Sequence, residues 1–93
     1  MSIKVFKNGV KIVASAATPE AIESASKSVS WTAIMSLPTN GTTIWIGDSD
    51  VTQANGMELQ TTDSPLYLFD VDISDVYIRV PANGEGVKYI YGV

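Results

Sequence analysis

Apolar and polar residues alternate along several short stretches of this chain, which is the pattern of β-strands that bury one face. The longest such stretch is Ser28 to Leu37, in which small polar residues separate the apolar ones and only Ile34 breaks the order. The face predicted to be buried carries Val29, Trp31, Ala33, Met35 and Leu37. The opposite face of this strand is predicted to contact water.

A second apolar run, Thr42 to Ile46, alternates in the same way. It places Ile44 and Ile46 on one side and Trp45 on the other, so Trp45 is expected to be exposed. Between the two runs stands Pro38-Thr39-Asn40-Gly41, a cluster of residues that favour turns. The sequence therefore predicts a central antiparallel hairpin over residues 28–47.

The N-terminal residues predict another hairpin. Ile3 to Phe6 and Val10 to Ala14 have the composition of strands, and Lys7-Asn8-Gly9 separates them. Because Asn-Gly tolerates the positive φ angles of a tight turn, residues 1–14 are predicted to form an N-terminal hairpin.

Residues 15–27 permit two interpretations. Thr18-Pro19-Glu20 has the order of a helix start, with a capping residue, a first-turn proline and an acid. However, serines crowd the end of this segment, and Ile22 is its one anchor for an apolar stripe. The second interpretation, a short strand at Glu20 to Glu23 followed by a turn, is preferred.

Four further strands are predicted in the second half of the chain. They are Met57 to Gln60, Leu66 to Phe69, Val76 to Val80 and Val87 to Tyr91. In the last two strands and the residues after them, the predicted inward side chains are Val76, Ile78, Val80, Val87, Tyr89, Tyr91 and Val93. The strand Leu66 to Phe69 has almost no polar face and is expected to be covered on both sides. About eight short strands at spacings of roughly 8 to 12 residues predict an all-β fold, a single small antiparallel β-sandwich or jelly-roll-like domain over residues 1–93.

Composition narrows the possible chemistry. The chain has no histidine and no cysteine, so the commonest general base and the thiolate ligand of zinc sites are both missing. The net charge of −4 disfavours binding to nucleic acid, which requires several cationic contacts. No apolar run is long enough for a membrane span. We therefore expect no enzymatic activity, no cofactor, no nucleic-acid partner and no membrane partner.

Two acidic clusters are candidate sites. Asp48 and Asp50 form one, and the segment Asp70 to Asp75 holds three aspartates. Neither cluster fits the calcium loop of an EF-hand, because the required glycine and the final bidentate acid are missing from both. Both clusters lie in predicted turns, where aspartate bonds nearby backbone N–H groups, and this structural role is preferred over catalysis. An irregular calcium site between loops stays open.

Charge is distributed unevenly. The first 30 residues hold four lysines against two glutamates, whereas the rest holds eight acids against Arg79 and Lys88. Ordinary solvated faces would explain this. A sharper hypothesis is that the basic N-terminal end of one copy is attracted to an acidic face of a neighbour. The candidate protein-contact residues are Lys4, Lys7, Lys11, Trp45 and Tyr77.

From about Ser28 onward the sequence resembles small all-β virion proteins of tailed bacteriophages. The resemblance is carried by Ser28 to Ala33, Asn40 to Thr42, Ile44 to Val51, Gly56, Leu59, Ile73 to Ile78 and Gly84 to Tyr91. Trp45 stands where such proteins usually have tyrosine, Ile73 stands where they have leucine, and their Pro-Gly turn is replaced by Thr61 to Ser64. These shared motifs are turns and strand ends, and none is catalytic.

The resemblance implies a virion component, made in the host cytoplasm and located in the virion. A capsid decoration protein, bound in many copies to the major capsid protein or other virion proteins, fits a small chain best. A homo-oligomer is expected, since a domain of this size buries little core and has no disulfide. The alternative is a host-surface or carbohydrate-binding module of a head fibre or tail, for which an exposed Trp45 near Asp48 and Asp50 would be the platform.

Overall fold

The computed structural model describes residues 6–41 and 43–93. They form eight strands, and the order along the chain is β1 (Phe6–Ile12), β2 (Glu20–Ala21), β3 (Ser28–Ser36), β4 (Ile44–Gly47), β5 (Met57–Leu59), β6 (Leu66–Asp72), β7 (Tyr77–Arg79) and β8 (Gly86–Gly92). A 3₁₀ turn, Ile73–Asp75, follows β6. The all-β prediction is confirmed.

The strands form two antiparallel sheets of four strands each. Sheet A has the order β1-β8-β3-β6, and sheet B has the order β2-β7-β4-β5. Buried apolar residues from both sheets, among them Ile34 and Tyr91 of sheet A and Ile44 and Ile78 of sheet B, form one cluster between them. The arrangement is that of a sandwich, in which each sheet covers the inner face of the other.

The predicted central hairpin is wrong. β3 lies in sheet A between β8 and β6, whereas β4 lies in sheet B between β7 and β5. The chain therefore changes sheets between β3 and β4. Asn40 is buried in this connection and forms hydrogen bonds to Gly86 at the start of β8. Asn40-Gly41 is therefore part of a connection between the two sheets, whereas the sequence predicted the tight turn of a hairpin.

The predicted N-terminal hairpin is also wrong in the described part. Lys7-Asn8-Gly9 lies inside β1, where Asn8 pairs with Ile90 and Gly9 with Tyr89. Gly9 is needed for close approach, since a Cβ at this position would lie 2.6 Å from the Tyr89 hydroxyl oxygen. Ile3 to Val5, the other predicted arm, lies outside the described residues.

The buried face of β3 differs from the prediction after its first residues. Val29 is buried as expected, but Thr32, Ile34 and Ser36 are also buried, whereas Trp31 and Met35 are only half-buried. Inward and outward positions of β3 therefore exchange between Val29 and Trp31. At the same level of β6, Asp70 has a left-handed φ of 55°, and it interrupts the ladder between the pairs Val29–Val71 and Trp31–Phe69. The buried Thr32 hydroxyl is satisfied, because it donates to the Ile90 carbonyl at 3.0 Å.

The remaining strands were predicted more closely. Val76, Ile78 and Val80 are buried, as are Val87, Tyr89 and Tyr91, but Val93 is exposed. The preferred strand in residues 15–27 is present as the shorter β2, which pairs with β7. The turn predicted at Asp70 begins later, because β6 continues to Asp72.

Candidate interaction surface

The outer face of sheet A is apolar and largely uncovered. One set of alternate residues in these strands points away from sheet B, and we call this set the outer face of sheet A: Asn8, Val10, Ile12, Trp31, Ala33, Met35, Tyr67, Phe69, Lys88 and Ile90. Val10 is 62% exposed, Tyr67 is 56% exposed and Phe69 is 66% exposed. Lys88 is the one charged member of the set.

The rows of this face follow from the strand register. Lys88 lies between Val10 and Met35, and Ile90 pairs with Ala33, which in turn pairs with Tyr67. The rings of Tyr67 and Phe69 stack at a centroid distance of 6.5 Å and an interplanar angle of 13°. A shallow groove of about 400 Å³ runs between Val10, Met35, Pro65 and Tyr67.

The sequence carried a signal for this surface. Leu66 to Phe69 lacks a polar face and was expected to be covered on both sides. Leu66 and Leu68 do pack against the core, but Tyr67 and Phe69 point outward and are exposed. Tyr67 and Phe69 stack on each other, but more than half of each side chain stays exposed in the described chain.

Trp45 does not belong to any exposed surface. It points away from the core as predicted, but it is only 9% exposed. The loop after β4 folds back over it: a Cβ at Gly56 would lie 2.6 Å from the Trp45 Cβ and 2.7 Å from Val51 Cγ2. Val51 of this loop is fully buried, although the loop is mostly polar and its sequence therefore did not indicate this burial. The expectation of an exposed Trp45 is wrong.

Trp31, which was predicted to lie in the core, is a half-buried member of the outer face. Its indole covers the backbone of β8, since a Cβ at Gly92 would lie 2.5 Å from Trp31 Nε1. Tyr77 is half-buried in sheet B, where it pairs with Ala21 and Gly47. Tyr77 is therefore remote from the outer face of sheet A.

The candidate lysines that the structure describes face sheet B. Lys7 Nζ lies 3.5 Å from Glu23 Oε2, and Lys11 Nζ lies 3.0 Å from Glu20 Oε1. These ion pairs join the edge of β1 to the segment around β2. Lys4 lies outside the described residues.

Two groups on this side of the sandwich, Glu20 and Tyr89, have shifted pKa values. The Lys11 ammonium bonds to Glu20 and holds the pKa of that carboxyl below its ordinary value. Burial, together with a 2.6 Å hydrogen bond donated by the Tyr89 hydroxyl to Glu23, raises the pKa of Tyr89 well above its usual range. The lowered pKa favours the ionised Glu20 carboxylate that bonds to Lys11, and the raised pKa favours the neutral Tyr89 hydroxyl that donates to Glu23.

One aspartate of each acidic cluster, Asp48 and Asp72, has a structural role. Asp72 caps the 3₁₀ turn, and Asp48 accepts a bond from the Asp50 backbone N–H at 2.9 Å. Hydrogen bonds, first from the Ser26 hydroxyl and then from Ser74, lower the pKa of Asp72 far below its usual range. Within residues 6–41 and 43–93, no group of three or more acidic, histidine or cysteine side chains is arranged to hold a metal ion.

Comparisons with protein-family models, curated proteins and solved structures found no match. No helix among the described residues is long and apolar enough to cross a membrane.

Proposed function

We propose that this chain is a non-enzymatic structural protein of a bacteriophage virion, a capsid decoration protein that binds the assembled shell in many copies. The virion setting comes from the sequence resemblance described above. The observation that supports a binding role is the exposed, apolar outer face of sheet A. The proposed partner of this face is the major capsid protein or another protein of the shell.

Exposed aromatic side chains on an open sheet face favour association with protein. Contiguous apolar patches of several hundred Å² are uncommon on soluble monomers and usually mark interaction sites. Covering Tyr67 and Phe69 would contribute about 1–2 kcal/mol each, because roughly 56% and 66% of their surface is left to remove from water. Repeated at many equivalent positions of a shell, such modest contacts would hold neighbouring subunits together.

The carbohydrate-binding alternative depended on an exposed Trp45. Because Trp45 is buried under the loop that contains Val51, that platform is missing, and we do not propose this function.

The test is addition of the purified protein to capsids that lack it, followed by co-sedimentation. We expect saturable binding by the unmodified chain. The double variant Tyr67→Ser, Phe69→Ser should bind at least about tenfold more weakly, since removal of central aromatic contacts costs 1 kcal/mol or more each. Met57→Ser is the matched control, because Met57 is 61% exposed but lies on β5 of sheet B.

Two results would contradict the proposal. One is an absence of binding by the unmodified chain at micromolar concentrations. The other is equal binding by the Tyr67→Ser, Phe69→Ser variant and the Met57→Ser control, which would show that the outer face of sheet A is not the contact.

A further inference from the structure

We infer that the partner covering the outer face of sheet A supplies a carboxylate to Lys88, so that the contacting segment is an apolar stretch of protein that contains an aspartate or a glutamate. This inference rests on the proposed function and deepens it, because it names the chemistry of the shell protein at the contact. The observation that carries it is one unpaired cation on an otherwise uncharged face.

Lys88 lies within this face and not at its rim. It belongs to β8, an inner strand of sheet A, where it pairs with Val10 of β1 on one side and with Met35 of β3 on the other. It also lines the groove on this face, together with Pro65 and Tyr67. A partner that covers the groove therefore covers the Lys88 side chain as well.

No carboxylate of the chain neutralises Lys88. Its ammonium forms no ion pair with any acid among the described residues, and positions 1–5 and 42, which lie outside them, hold no acid. Lys7 and Lys11 differ in this respect, since each is paired with a glutamate. The Lys88 side chain is exposed, so its ammonium is solvated by water in the isolated chain.

Covering the face removes that water. Burial of an ammonium without a counter-charge is strongly unfavourable, whereas a carboxylate at hydrogen-bonding distance offsets the lost solvation. A purely apolar partner would bury Tyr67 and Phe69 favourably but would lose part of that gain at Lys88. An aspartate or glutamate opposite Lys88 avoids the loss and also fixes the register of the contact.

The same face of a second copy does not meet this requirement. A twofold dimer of this kind brings identical surfaces together. Because the residues that define the outer face include no acid, such a dimer would bury Lys88 of both copies without a carboxylate for either. Like-charge repulsion then disfavours the pairing.

A polyanion does not fit the face either. Attraction to phosphate backbones or anionic lipid headgroups depends on several cations, and Lys88 is the one charged residue in the set that defines the face. Tyr67 and Phe69 require apolar contacts, since both are more than half exposed. A protein segment with one acid among apolar side chains matches both features.

Neutralisation of Lys88 without loss of its apolar stem tests the requirement. The variants would be compared with the unmodified chain by co-sedimentation with capsids that lack the protein. Lys88→Met should bind about tenfold more weakly or worse, because it leaves the partner's carboxylate unpaired. Lys88→Arg retains the charge and should bind within about threefold of the unmodified chain. Lys27→Met is the matched control, since Lys27 is also exposed but precedes β3 and is not part of the face; it should bind as the unmodified chain does.

A zero-length cross-link identifies the partner group directly. A water-soluble carbodiimide joins an amine to a carboxylate in contact with it, forming an amide with loss of water. On capsids that carry the bound protein, mass spectrometry should find Lys88 joined to an aspartate or glutamate of a shell protein. Lys88→Arg should bind but lose this cross-link, because its guanidinium does not form the amide.

Three results would overturn the inference. Binding by Lys88→Met as tight as that of the unmodified chain, or tighter, would show a purely apolar contact. A cross-link from Lys88 to an acid of a second copy would show self-association in place of a shell carboxylate. Equal binding to capsids and to phosphatidylglycerol vesicles would show that any anionic surface is sufficient.

The failure of this inference can be told apart from that of the proposed function. If Lys88→Met binds normally while the Tyr67→Ser, Phe69→Ser variant binds weakly, the proposed function stands and only the carboxylate contact is removed. If the unmodified chain does not bind capsids, both are removed.

Discussion

The side-chain amide of Asn40 pairs with both backbone groups of Gly86, as a neighbouring strand would. Asn40 Oδ1 accepts a bond from the Gly86 N–H at 3.0 Å, and Asn40 Nδ2 donates to the Gly86 carbonyl at 2.8 Å. The same Nδ2 donates to Ser36 Oγ at 2.7 Å. Asn40 thereby joins the end of β3, the start of β8 and the connection that crosses to sheet B.

Replacement of Asn40 by alanine should destabilise the fold strongly. Asn40→Ala removes three hydrogen bonds in a buried place and leaves the Gly86 N–H without this acceptor. We expect a loss of about 2–4 kcal/mol in the free energy of unfolding, measured with urea. Asn55→Ala is the control: Asn55 is exposed, accepts one bond from the Thr52 N–H, and should cost about 1 kcal/mol or less. Equal losses would contradict the role assigned to Asn40.

Gly86 itself should tolerate no side chain. A Cβ at this position would collide with the Lys11 carbonyl of β1, which belongs to the backbone and cannot rotate away. Gly86→Ala should therefore cost more than about 4 kcal/mol or prevent folding. Gly84 provides the contrast, because it has a φ of 87° but open space around it, so Gly84→Ala should cost only about 1 kcal/mol. Urea unfolding and circular dichroism of both variants would check this, and a well-folded Gly86→Ala variant would disprove it.

The two tryptophans should differ in fluorescence. Trp45 is buried beneath the loop that carries Val51, whereas Trp31 is half-buried on the outer face of sheet A. Trp31→Phe, which retains Trp45, should show blue-shifted emission and weak quenching by acrylamide. Trp45→Phe, which retains Trp31, should show the opposite. Greater quenching of Trp45 than of Trp31 would contradict the burial described here.

Strand positions could be predicted from the sequence, but the pairing of strands could not. The alternation in Val76 to Val80 and Val87 to Tyr91 correctly marked inward residues, because a period of two depends only on local geometry. The turn chemistry of Asn8-Gly9 suggested a hairpin, yet the long-range pairing of β1 with β8 prevails over it. Likewise, nothing local indicates that the β3–β4 connection changes sheets, since the hydrogen bonds of Asn40 to Gly86 span 46 residues.

The interaction surface was only partly predictable for a related reason. The apolar outward residues of β6 are visible in the sequence, but their exposure depends on which elements cover them. Trp45 was expected to be exposed and is covered by a polar loop, whereas the strand holding Phe69 was expected to be covered and is open. Burial of an outward residue is decided by distant segments, which a local pattern does not report.

Asp72 should make the fold sensitive to acid. Its Oδ1 accepts from the Lys27 N–H at 3.0 Å and from the Ser74 N–H at 2.9 Å, and its Oδ2 accepts from the Ser26 hydroxyl, so it ties the segment before β3 to the 3₁₀ turn. Because these bonds lower the pKa of Asp72 in the folded state from its ordinary value of 3.8, the unfolded chain binds its proton first as pH falls. The stabilisation is therefore complete above pH 3.8 and is lost as pH decreases through the folded-state pKa.

Urea unfolding between about pH 6 and pH 2 would measure this contribution, since the slope of stability against pH reports the difference in bound protons. Asp72→Asn cannot ionise, so its stability should fall less steeply with decreasing pH than that of the unmodified chain, although it should be less stable at neutral pH. Glu20, whose pKa is also lowered, still titrates in both proteins, so the difference between the two curves isolates Asp72. Asp50→Asn, a substitution at an exposed loop aspartate, should follow the unmodified curve. Parallel curves for Asp72→Asn and the unmodified chain would mean that the carboxylate of Asp72 does not hold these two segments together.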